Sequence, residues 1–143
     1  MRLPGHVRAF VEGELRQHRV NKISLHRLKR ERDDIYHRTR QPNREQVKGS
    51  HSGDPISAAV IMAEKTDRMI DAYELRVTKV EAGLEMCTVS ERRILQARYM
   101  EEYEPTDEEV INYLRYGRRN TYFETRDKGL SKIAKAFGLW NEP

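Results

Sequence analysis

The chain is short of the residues that staple, break or span. Its 143 residues include one cysteine, Cys87, which excludes an intramolecular disulfide and any cysteine-rich zinc site. No run approaches the roughly 18 apolar residues of a membrane span, and Met1-Arg2-Leu3-Pro4-Gly5-His6 has no apolar core of signal-peptide length. A cytoplasmic protein with no membrane contact is the expectation. His6, His18, His26, His37 and His51 stand at no metal-ligand spacing, and there is no glycine-rich phosphate loop or nucleophile motif. The carboxylates between Glu101 and Glu109 have no apolar pocket around them to shift them into acid–base work. The sequence therefore predicts no enzyme and no cofactor. Core material is sparse as well: hydrophobic residues are 37% against 35% charged, which suits exposed or paired long helices better than a compact globule.

What is present in quantity is positive charge, and its distribution matters more than its sum. The net charge is +4. Residues 1–55 carry 13 Lys and Arg against 7 Asp and Glu, residues 56–87 carry 4 against 6, and residues 88–143 carry 10 against 10. That last balance conceals a segregation. Glu101, Glu102, Glu104, Asp107, Glu108 and Glu109 precede Arg115, Arg118, Arg119, Arg126, Lys128, Lys132 and Lys135, so a local basic surface is expected near the C-terminus.

Periodicity predicts helices throughout and no strand. From Val7 to Tyr36, Val11, Leu15, Leu25, Leu28 and Ile35 recur on one stripe with His18 and Arg32, compatible with one long helix or two broken near Asn21. The opposite face is basic, with Arg16, Arg19, Lys22, Arg27, Lys29, Arg30, Arg38 and Arg40. It reads as a solvated face or as an auxiliary phosphate-contacting surface. Residues 41–55 are nearly devoid of apolar side chains and form an expected linker, ending in Asp54-Pro55, an acidic cap followed by a first-turn proline. Then Ile56, Ala59, Ala63, Thr66, Ile70, Tyr73, Val77, Val80 and Leu84 are spaced alternately by three and four, the seam of a helix of about 30 residues. The first helix, folding back as an antiparallel hairpin, is the favoured partner for that seam; a second copy in a homodimer is the alternative.

After residue 86 the pattern shortens. Thr88 and Glu91, and again Thr106 and Glu109, stand in capping-box spacing at the heads of two short helices, the first carrying Ile94, Leu95 and Tyr99, the second Val110, Ile111 and Leu114. A turn around Gly117 leads to a last helix from Asn120 to Phe137. Tyr122, Leu130, Ile133, Ala134 and Phe137 fall on its inner side, with Gly129 where close packing would use a small residue. Its outer side presents Thr121, Glu124, Thr125, Lys128, Lys132 and Lys135, and Phe123 lies at the boundary. Helix, short turn, then a helix basic on one side is the outline of a helix-turn-helix, whose second helix enters the major groove. Arg118, Arg119, Asn120 and Thr121 occupy the reading position, because arginine pairs bidentately with guanine and asparagine with adenine. Arg115 and the later lysines are phosphate contacts in this reading.

Residues 89–140 carry a resemblance. Glu91, Ile94, Leu95, Arg98-Tyr99, Leu114, Thr121-Tyr122-Phe123, Arg126, Lys128, Leu130, Ile133-Ala134 and Phe137-Gly138-Leu139 together resemble the C-terminal region of ArpU/RinA-type phage late-gene transcriptional regulators. That region is in turn similar to the promoter-reading domain of bacterial sigma factors. Gly129 replaces an expected alanine, and the turn is a residue longer than the Ser-x-x-Thr turn usual there. The resemblance implies promoter binding in concert with host RNA polymerase.

The expectation is thus an all-α protein with a helical hairpin over residues 1–86, including the linker, and a three-helix, sigma-like helix-turn-helix domain over residues 87–143. Its partner is double-stranded DNA, contacted through Arg115, Arg118, Arg119, Asn120, Thr121, Glu124, Thr125, Lys128, Lys132 and Lys135. The rival readings are a small terminase subunit, which also joins such a motif to helical oligomerisation elements, and a helical adaptor whose basic helix is merely solvated.

Overall fold

The computed structural model describes residues 2–40 and 55–141, and these are all-α: five helices and no strand. The expected linker at about 41–55 and its Asp54 cap lie outside the described residues, except that Pro55 opens the second helix. No helix among the described residues is long and apolar enough to cross a membrane.

Helix α1 spans Gly5–Arg40 without interruption. Asn21 does not break it; that side chain is buried on the same stripe as Val7, Val11, Leu15, His18 and Leu28. Helix α2 spans Pro55–Met86, and its seam buries Ala63, Ile70, Val77, Val80 and Leu84, while Ile56 at its head is exposed. It stops where Cys87 N–H turns back to the Leu84 carbonyl, 3.1 Å away, while the Arg92 guanidinium donates to the Leu84 and Cys87 carbonyls at 3.1 and 3.4 Å. A cation on the last carbonyls of a helix both satisfies them and complements its dipole.

The described chain forms two compact units, which divide the long helices rather than separate them: residues 22–75, and residues 1–21 with 76–143. In the first, α1 and α2 run antiparallel with Leu28 and Ile70 buried between them. Lys29 pairs with Glu74 at 2.9 Å and Arg32 with Asp67 at 3.7 Å.

The second unit contains most of the buried apolar matter. Helix α3, Val89–Leu95, continues as a π-helical turn over Gln96–Met100; α4 spans Asp107–Leu114 and α5 spans Arg119–Ala136. Both predicted capping boxes form. The Thr88 hydroxyl accepts from Glu91 N–H at 3.2 Å and the Glu91 carboxylate returns to Thr88 N–H at 2.9 Å; Thr106 and Glu109 repeat the exchange. Each cap contributes about 1 kcal/mol of helix stability. One core cluster joins Val7, Val11 and Leu15 of α1 to Val80 and Leu84 of α2, Leu95, Tyr99, and Leu130, Ile133 and Ala134 of α5. A second joins Ile94, Val110, Ile111 and Tyr122. Burying each such side chain contributes about 1.5–3 kcal/mol, so α5 is held from two sides along its inner face.

Candidate nucleic-acid interface

The candidate surface is built from the end of α4, the turn and the first two turns of α5. Helix α4 ends because Arg115 adopts a left-handed conformation, φ 60° and ψ 44°. Its N–H reaches the Asn112 carbonyl at 3.3 Å, and Tyr116 N–H reaches back to Ile111 at 3.0 Å. This bond pair closes a helix in the Schellman manner, and glycine is the residue that does so without steric cost. Tyr116 then packs edge-on against Tyr122, with centroids 5.7 Å apart, and Tyr122 packs likewise on Phe123 at 5.1 Å. The turn is thereby fastened to the second core, and Gly117 and Arg118 stand out from it exposed.

A single carboxylate ties the three short helices together. Asp107, in the first turn of α4, accepts from the Tyr122 hydroxyl at 2.7 Å, from Arg98 Nε at 3.1 Å and from Arg126 Nη1 at 3.2 Å. Burial alone would raise its pKa, but the tyrosine hydroxyl and the two guanidiniums outweigh burial and hold the carboxyl below its usual range. Arg126 is itself buried, pairs also with Asp127 at 3.0 Å and lies over the Phe123 ring at 4.9 Å. The basic residue in the middle of α5 therefore braces the helix from inside.

Helix α5 opens at Arg119, one residue before the predicted start, from an extended Arg118 that supplies no side-chain cap. Arg118, Arg119, Asn120, Thr121 and Glu124 line a shallow concavity with Gly117. Arg119 leaves it in part, pairing with Glu108 of α4 while staying 61% exposed. Lys128 is exposed one turn further along, and Arg115 is exposed at the other edge of the turn. The remaining three candidates are placed differently. The Thr125 hydroxyl donates to the Thr121 carbonyl at 2.7 Å. Lys135 is half-buried near the end of α5. Lys132, expected on the outer side, puts its ammonium 2.5 Å from Glu91, the buried carboxylate of the α3 cap. Burial would raise the Glu91 pKa; Lys132 and the Thr88 bonds overcome this and lower it.

The side of α5 facing α3 is close-packed. A Cβ on Gly129 would stand 3.0 Å from Leu95 Cδ1 and 3.4 Å from Glu91 Cβ. Within this same unit the basic face of α1 is partly spent on internal pairs, with Arg16 on Glu104 at 2.6 Å and Arg19 on Glu102 at 3.6 Å.

Sequence reasoning missed Asp107, Glu91 and Arg126 as the groups that fix α5 in place. The signals were partial: Asp107 and Glu91 sit in recognisable capping turns, while their partners on α5 lie 15 to 41 residues away. The concavity brings guanidinium, amide and hydroxyl groups beside the Glu124 carboxylate, and among the described residues no cluster of three or more His, Cys, Asp or Glu side chains is placed to hold a metal ion. Comparison with protein-family models, with curated proteins and with solved structures finds no match for this chain.

Proposed function

We propose that the protein is a sequence-specific DNA-binding transcriptional regulator of the phage late-gene type, with α4, the turn and α5 as its helix-turn-helix. The division into a helical hairpin and a C-terminal DNA-reading domain at about residue 87 belongs to the same proposal. The observation that carries it is a contrast along α5. Its inner face is locked by Asp107, Glu91 and two cores, while Arg118, Arg119, Asn120, Thr121 and Glu124 stay exposed around its N-terminus and Lys128 stays exposed halfway along it.

A recognition helix needs that combination. The scaffold must hold the helix rigidly, and the residues of its first turns must remain available to base edges. Arginine and asparagine supply bidentate donors for guanine and adenine, Glu124 accepts from cytosine, and Arg115 and Lys128 neutralise phosphates on either side. RNA polymerase as a second partner rests on the sigma-like resemblance of residues 89–140.

The test is binding to phage promoter fragments across a salt series, comparing the wild type with the Arg118→Ala/Arg119→Ala/Lys128→Ala triple variant. The expected result is tight, salt-dependent binding by the wild type. The variant should bind more weakly, with a log–log salt slope shallower by about one for each phosphate it no longer neutralises. Equal binding by the two proteins would remove the site assignment, and no binding by either would remove DNA binding.

A further inference from the structure

Two arginines stand side by side at the head of α5, and their surroundings differ. Arg118 precedes the helix in extended backbone, φ −122° and ψ 123°, and is exposed with no ion pair or ring contact among the described residues. Arg119 is the first helical residue, and it is held twice. Its Nη1 pairs with the Glu108 carboxylate of α4, and its guanidinium lies 5.8 Å from the centroid of the Phe123 ring, one turn further along α5.

Both holds are themselves anchored. Glu108 stands between Asp107, which accepts from Tyr122, Arg98 and Arg126, and Glu109, which closes the Thr106 capping box, so its place in the first turn of α4 is fixed from either side. Phe123 packs edge-on against Tyr122, and Arg126 covers it at 4.9 Å. The Glu108–Arg119 pair is more than half exposed on both sides, and such a pair contributes little to stability. What it restricts is orientation. An arginine left to itself samples many rotamers, whereas one tied to a carboxylate on the neighbouring helix and laid on a ring presents its fork in one direction.

The two uses of arginine on DNA ask different things of it. A phosphate contact is a contact between charges and tolerates a mobile side chain. A guanine is read by paired N–H bonds to O6 and N7, which needs the fork fixed in plane and direction. The ion pair to Glu108 is made through Nη1, which leaves Nε–H and Nη2–H of Arg119 as the edge for such a pair. We propose that Arg119 is the base-reading arginine of this surface and Glu108 its positioning residue, with Arg118 confined to phosphate; the assignment rests on the DNA binding proposed for α5. The opposite role for Glu108, a clamp that draws Arg119 away from DNA and must be broken on binding, predicts the reverse effects of removing it.

The test is selection of sites from a randomised duplex library by the full chain, then affinities for the selected site and its single-base variants with the wild type, Glu108→Gln, Arg119→Lys and Arg118→Lys. The wild type is expected to select a motif containing one guanine that Arg119→Lys no longer distinguishes. The charge is kept and the fork is lost, so discrimination at that base falls by about 5- to 150-fold. Glu108→Gln relaxes the same base and no other, while binding scrambled DNA more tightly because a negative charge has left the surface. Arg118→Lys keeps the motif, as lysine also serves a phosphate. A Glu108→Gln variant that binds the selected site more tightly with its preference intact would make Glu108 a clamp and overturn the proposal. So would an Arg119→Lys variant that reads the same motif, or a motif altered by Arg118→Lys; DNA binding itself would stand in all three cases. A wild type that selects no motif removes sequence-specific binding and this assignment with it. Should Glu108→Gln lose helicity by circular dichroism, NMR relaxation of the arginine Nε–H groups in the wild type decides: Arg119 is ordered and Arg118 mobile, and equal mobility of the two overturns the positioning role.

Discussion

Asp107 shows how much a single side chain can organise. It caps no helix by itself, yet its two oxygens receive a tyrosine hydroxyl from α5 and guanidiniums from both the π-helical turn and α5. Because its folded-state pKa is depressed, its stabilisation is fully present above the unfolded-state value of 3.8 and is lost as pH falls below that through the lower folded-state value. Glu91 behaves likewise from 4.5 downwards. Unfolding midpoints should therefore be insensitive to these carboxylates from neutrality to about pH 5 and fall steeply in more acid solution. The Asp107→Asn variant should cost about 1–2 kcal/mol at pH 7, since Arg126 and Arg98 keep their other carboxylate partners. It should also flatten the acid limb of a denaturation series, and an unaltered limb would show that the hub carries no pH-linked stability. Arg115 offers the opposite kind of test. A non-glycine residue in the left-handed region is strained by roughly 1–2 kcal/mol, and glycine would return part of that to its unfolded-state entropy. Arg115→Gly is expected to raise stability by about 0.5–1 kcal/mol while weakening DNA binding at low salt. A gain in stability with no loss of affinity would mean that the strain is not retained for a phosphate contact.

At the scale of elements, local signals in the sequence translated directly and distant ones did not. Both Thr-x-x-Glu boxes formed because each is complete within four residues, and the predicted stripes are buried at Val11, Leu15, His18 and Leu28 of α1 and at Ala63, Ile70, Val77, Val80 and Leu84 of α2, while Leu25, Ile35, Thr66 and Tyr73 are only half-buried. Asn21 left open a break in α1 that does not occur: the helix runs through it with the side chain buried. The start of α5 was displaced by one residue because Arg118 supplies no capping side chain to mark it. Arg126 and Lys132 read as surface charge because nothing local reveals that Asp107 and Glu91 come to meet them. Gly83 was silent for the same reason. It is an ordinary mid-helix glycine in the sequence, yet an added Cβ there would stand 2.6 Å from Ile133 Cδ1 and 3.0 Å from the Ile133 Cα. The side-chain atom can move; the backbone atom moves only with α5. Gly83→Ala therefore sets about 1 kcal/mol of helix propensity against overpacking of about 1–3 kcal/mol. A net loss of about 1–2 kcal/mol in urea denaturation is expected. A stabilised variant would show that α5 can draw back from α2 at little cost.

For the whole molecule, the uneven division of apolar burial predicts uneven stability. The unit containing α3, α4 and α5 holds two core clusters and, among the described residues, the largest fully buried side chains, among them Tyr122, Leu15, Ile94, Leu95, Leu130 and Ile133. Residues 22–75 rely on a narrow seam and on exposed ion pairs such as Lys29–Glu74, which contribute about 0–1 kcal/mol each. Opening free energies follow local burial, so backbone amides should exchange in two tiers. Hydrogen–deuterium exchange at neutral pH is expected to show slow amides over residues 76–86, 91–100 and 119–136, and faster ones over 22–38 and 56–75. A single tier across both units would show that the thin seam is energetically equal to the deep core.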